Sequence, residues 1–68
     1  MSNHVYKALE LTGSSATSSD DAIRVAIVKA SESVRDIRWF EVLDTRGHVE
    51  VGKIKHWQVT IKVGFTVA

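Results

Sequence analysis

From Ile54 to Val67 the chain alternates without a break. Trp57, Val59, Ile61, Val63, Phe65 and Val67 share one parity; His56, Gln58, Thr60, Lys62, Gly64 and Thr66 share the other. A strand turns successive side chains to opposite faces, so this run predicts a strand with one apolar face to bury and one mixed polar face. The chain has 68 residues with which to cover it. A domain of that size hides only about 60% of the surface its unfolded chain exposes. Ordering it costs on the order of 100 kcal/mol. The sequence contains no Cys, which removes disulfides and thiolate metal sites as staples. Assembly with further copies is the remaining support, and an oligomer is expected.

The partners of this strand lie upstream. Val5 to Thr12 predicts a first strand, with Val5, Lys7, Leu9 and Leu11 on one face and Tyr6, Ala8, Glu10 and Thr12 on the other. Gly13-Ser14-Ser15 and the hydroxyl-rich residues after them read as a loop. A helix of about five turns is expected to begin near Ser18. Ser18 and Asp21 have capping-box spacing, and Asp20 and Asp21 suit a positive helix N-terminus. Ile23, Ala26, Ile27, Ala30 and Val34 form one stripe at helical spacing; Val25 and Val28 fall off it, on a side open either to solvent or to a subunit contact. Ile37 to Arg46 predicts a second strand, with Phe40 and Val42 on one face and Trp39, Glu41 and Leu43 on the other. Gly47 and Gly52 then bracket a polar connection through His48 and Glu50.

The order is therefore β-α-β-β, one domain over residues 1–68, in the α+β class. The helix returns the chain so that the second strand runs parallel to the first. The last strand turns back and inserts between them, giving an antiparallel sheet in order 1-3-2. Leu9, Leu11, Phe40 and Val42, with the apolar face of the last strand, are expected beneath the helix.

Nine Lys plus Arg stand against eight Asp plus Glu, a net charge of +1. That balance argues against a nucleic-acid or anionic-membrane partner. No apolar run approaches a bilayer span, and the first residues lack the basic and apolar regions of a signal peptide. A cytoplasmic location is expected.

The face away from the helix carries the chemical interest. There Trp39, Glu41 and Leu43 meet His56, Gln58, Thr60 and Lys62. An indole on that face fits the core of a subunit interface, where Trp is enriched. It also fits a stacking platform for a planar aromatic ligand, with an amide such as Gln58 for hydrogen bonding. Trp57 has the opposite parity and reads as core. His4, His48 and His56 lack the spacing of a metal site, so no metal is expected. Asp20-Asp21 reads as capping, and Ser14 to Ser19 has no activating base nearby. Gly13 stands outside any phosphate-binding pattern.

The segments His4-Val5-Tyr6-Lys7, Asp21-Ala22-Ile23, Trp39-Phe40-Glu41-Val42, Arg46-Gly47-His48 and Gln58-Val59-Thr60 to Val63-Gly64-Phe65 resemble, in order and spacing, the pattern of the dodecins. The resemblance runs from about His4 to Phe65 and implies a hollow, spherical dodecamer that binds flavins as stacked pairs on its two-fold axes. In that family the tryptophan matching Trp39 sandwiches the flavin pair, and the glutamine matching Gln58 contacts the edge of the isoalloxazine ring. The resemblance places Arg46 at the flavin phosphate or the rim of the site, with His4 and His48 nearby. Arg38 stands where bacterial relatives often carry an acidic residue near the ribityl chain. Some relatives bind coenzyme A and carry Arg after Gly-Phe; Thr66 holds that position here, so coenzyme A is not predicted.

The resemblance thus implies flavin storage and sequestration, with FMN expected ahead of riboflavin or FAD, and photoprotection by quenching. No catalytic residue is expected. A flavin-dependent redox enzyme and a single-stranded nucleic-acid-binding module, stacking bases on the sheet, are the alternatives. Turnover of a nicotinamide donor would mark the first, and a salt-sensitive gel shift with mixed RNA the second.

Overall fold

The computed structural model describes residues 4–67. Its elements are β1 (Tyr6–Ser15), α1 (Ser19–Ser31), β2 (Ile37–Glu50) and β3 (Lys53–Thr66), and the sheet order is β1-β3-β2 with both pairings antiparallel. The expected architecture is present. β3 pairs with β1 from Tyr6–Thr66 to Ser15–Trp57 without a slip, which fixes the two faces of the sheet.

Val59, Ile61 and Val63 of β3 are fully buried, and α1 lays Ala22, Ala26 and Ala30 against the sheet. These alanines recur every fourth residue, so they form one line along the helix. Leu9, Leu11, Ile23, Ile27 and Ile37 flank this core. The small side chains let the helix come close, and Gly13 marks the tightest point. A Cβ there would stand 2.2 Å from the Ala22 carbonyl oxygen and 2.9 Å from the Ala26 Cβ. Gly13-Ser14-Ser15 is therefore not a loop. These residues continue β1, held by pairing to Val59, Gln58 and Trp57, and Gly13 serves helix contact.

The helix is shorter than its apolar stripe, ending at Ser31 with Glu32 as C-cap, so Val34 and Arg35 lie beyond it. Its start matches expectation: the Ser18 hydroxyl accepts from the Asp21 N–H at 3.0 Å. The return bond of a capping box passes through a third residue. Ser15 Oγ accepts from the Ser18 N–H and donates to Asp21 Oδ2 at 2.7 Å. This hydroxyl, and then Arg24, hold the Asp21 carboxyl below its ordinary pKa.

β2 departs most from expectation. It runs on through Gly47 to Glu50, and the connection is only Val51-Gly52. Both turn residues have positive φ, 51° and 73°. For a β-branched residue this region costs on the order of 1–3 kcal/mol. Phe40 and Val42 share the helix side of the sheet but are not beneath the helix, which packs on β1 and β3. They remain 47% and 43% exposed. Their alternation was that of a buried strand; the described residues do not supply the cover.

Size measures agree. The radius of gyration is 14.2 Å, against about 11 Å for a compact domain of this length. The accessible surface is 5081 Å², against about 4,200 Å² for a compact monomer of this mass.

Two outcomes follow from these contacts. Gly13→Ala forces a methyl into the helix backbone, and a loss of about 1–3 kcal/mol is expected in chemical denaturation. Asp21 has a lowered folded pKa, so its contribution is present above its unfolded value of about 3.9 and is lost as pH falls through the folded one. Asp21→Asn should flatten the pH dependence of unfolding in that acid window.

Candidate functional site

The open face is shaped by irregularities in the β2–β3 ladder. β3 is straight where it meets β1, so the register shifts between Ile37 and Trp39 and between Val42 and Asp44 are bulges in β2, at Arg38 and Leu43. Residues paired across a ladder share a face. Before the Leu43 bulge, Trp39 pairs with Gly64 and Glu41 with Lys62 on the open face. After it, Asp44 pairs with Thr60 and Arg46 with Gln58 on that same face. Unbroken alternation would have put Arg46 and His48 on the helix side, opposite Trp39. The bulge brings them round. The Arg38 bulge likewise lets Ile37 reach the core while Trp39 faces out.

Two clusters result. At one end the Trp39 indole lies directly over Gly64, where a Cβ would meet ring atom Cε2 at 2.0 Å. Tyr6 stands edge-on to it, with centroids 6.2 Å apart and planes at 62°. The His4 ring is 6.4 Å beyond Tyr6. Arg38, at its bulge, lies 3.8 Å from Asp36. Trp39 keeps 38% of its surface exposed. At the other end are Gln58, Arg46, His48 and His56. Arg46 donates through Nε and Nη2 to Asp44 Oδ2 at 2.9 and 2.6 Å. His48 and His56 stack at 5.2 Å, and His48 Nε2 is 3.3 Å from Glu50 Oε2. Between the clusters the Thr12 and Thr60 hydroxyls bond at 2.8 Å.

Gln58 does not stand beside Trp39. Gly64, the partner of Trp39, is six residues along β3 from Gln58, which at strand rise is about 20 Å. One planar ligand touching both residues must take them from two copies of the chain. Sequence reasoning also passed over Gly64 and Tyr6 as parts of the platform. A glycine inside the strongest strand was the available signal, since it marks close approach of another group. Trp57, of opposite parity and expected as core, is only half-buried and belongs neither to the buried cluster nor to the residues packed against it. A groove of about 540 Å³ lined by Leu9, Leu11, Lys29, Ala30 and Val34 lies on the helix side and holds none of the candidate residues.

The family model for dodecin matches residues 5–68. This chain belongs to the dodecin family. It is similar to the dodecin of Streptomyces coelicolor, 44% identical, covering 100% of this chain and 97% of that one, with a TM-score of 0.93. The dodecin of Streptomyces davaonensis is 45% identical with 98% of each chain covered and a TM-score of 0.93. The dodecin of Thermus thermophilus is 39% identical over 90% of this chain and 88% of its own. Dodecins are small flavin-binding proteins that bind and store rather than catalyse, and they assemble as oligomers. Membership accounts for the uncovered strand and the large surface of the isolated chain. Among the described residues, no helix is long and apolar enough to cross a membrane.

Gly64→Ala should dislodge the indole without removing it. The expected result is a shifted Trp emission and altered near-UV dichroism, with far-UV dichroism unchanged.

Proposed function

We propose that this chain stores and sequesters flavin, FMN foremost, as stacked pairs clamped between the Trp39 indoles of symmetry-related subunits in a hollow dodecamer. The observation that carries this reading is the indole seated on Gly64. One ring face is supported by a residue with no side chain, and the residue stays partly exposed on a face that α1 does not cover. Stacking on such a surface contributes roughly 0.5–1.5 kcal/mol beyond area burial.

The roughly 20 Å between Trp39 and Gln58 along the ladder supports sharing of the site. A two-fold operation that lays two open faces together antiparallel sets the Trp39 end of one against the Gln58 end of the other. Gln58 then donates or accepts at the ring edge. Arg46, whose second Nη is not engaged by Asp44, and His48 meet the phosphate. His4 and Arg38 border the opposite end, and Arg38 adds positive charge near the ribityl chain. An indole in contact with the isoalloxazine donates an electron to the excited flavin, and the electron returns without net reaction. The excited state is shortened and photochemistry is suppressed.

Titration of FMN with flavin-stripped protein should quench flavin fluorescence and saturate near one flavin per subunit. Trp39→Ala should weaken binding by at least about tenfold while the oligomer remains assembled by light scattering. Undiminished affinity in that variant would refute the role of Trp39.

A further inference from the structure

The hairpin formed by β2 and β3 contains one more irregularity, and it creates a pair that spacing does not announce. From the turn, regular pairing matches Glu50 with Lys53 and Val49 with Ile54, and would next set His48 against Lys55. A register shift between Val49 and His48 leaves Lys55 as the extra residue and sets His48 against His56. The two imidazoles stack with centroids 5.2 Å apart and planes 12° from parallel, on the open face near the hairpin end. Glu50 Oε2 lies 3.3 Å from His48 Nε2.

We propose that His48 and His56 form a two-imidazole clamp for a divalent transition ion of the zinc class. Two ring nitrogens on one tetrahedral ion, each at about 2.0–2.1 Å, stand about 3.3 Å apart. Directly opposed residues on antiparallel strands have Cβ atoms about 4.5–5.5 Å apart, which is within that reach. The rings must turn from stacked to convergent. This is a rotation about χ2, a torsion with broad minima in His, and the His48 side chain is 54% exposed, so it has room to turn. Glu50 takes the part of the carboxylate that engages one ring nitrogen of a ligating histidine and raises the basicity of the other, here leaving Nδ1 of His48 to bind. Among the described residues no group of three or more His, Cys, Asp or Glu is placed to hold a metal ion, so the remaining positions go to water. Imidazole donors suit zinc, copper and nickel and disfavour calcium and magnesium, which take oxygen.

Within one chain the clamp lies at the opposite end of the open face from Trp39, and its occupancy is read in flavin-free protein. Calorimetric titration of the flavin-free oligomer with zinc chloride at neutral pH should show one ion per chain. The second imidazole acts as an intramolecular ligand, so His56→Gln or His48→Gln should each weaken zinc by on the order of 100-fold. Lys29→Gln on the helix should leave it unchanged, and excess calcium should not compete. Cobalt(II) gives an independent readout through visible absorption bands that both His variants should lose. Zinc affinity or cobalt bands that persist in His56→Gln, or that vanish in Lys29→Gln, would overturn the proposal.

Discussion

β3 is the constraint on which the rest of this molecule depends. It is the central strand, hydrogen-bonded along both edges, and among the described residues it supplies the only large side chains that are fully buried: Val59, Ile61 and Val63. Burying each is worth about 1.5–3 kcal/mol. The helix adds alanines, chosen by closeness rather than by bulk. So small an apolar interior leaves little margin, and the exposed Phe40, Val42, Val25 and Val28 show where the missing contacts lie. Oligomeric assembly, as in the dodecin family, is the kind of support such an interior calls for.

Much of the fold could be read from the chain because β3 is regular. Its unbroken alternation, the Ser18–Asp21 cap and the two apolar segments upstream are enough to reach the 1-3-2 order. What escaped has a common cause. A bulge adds one residue without a dedicated residue type to announce it, and Arg38, Leu43 and Lys55 are neither Gly nor Pro. Parity counted from Trp39 therefore fails beyond Leu43. Phe40 and Val42 carry the pattern of core residues, and alternation cannot say whether the cover is this helix or another subunit. Gly13 carried the opposite ambiguity: glycine after a strand reads as a turn, yet here it admits the helix backbone.

The candidate site was legible in its residues and not in its arrangement. Trp39 and Gln58 stand on the face expected of them, but distance along a strand is invisible to parity. The six residues separating Gly64 from Gln58 place the two side chains at opposite ends of the face rather than in one pocket. Arg46 and His48 reached the open face only through the bulge, so their place rested on family resemblance until the register was known. The same feature that defeated counting unites the face: without the slip at Leu43, Trp39 and Arg46 would look in opposite directions.

The turn at Val51-Gly52 has a consequence for how the chain folds. Two-residue hairpins form readily when both central residues tolerate positive φ, as Asn-Gly does. Here a valine, 98% exposed, holds the first of those positions and gains no contact in return. Such a hairpin is a poor nucleus. The turn chemistry therefore favours an order in which β3 is first held by β1 and α1 and β2 docks afterwards. The strand that docks late is also the edge strand with exposed Phe40 and Val42, so the last part of the chain to order is the part with most apolar surface left uncovered.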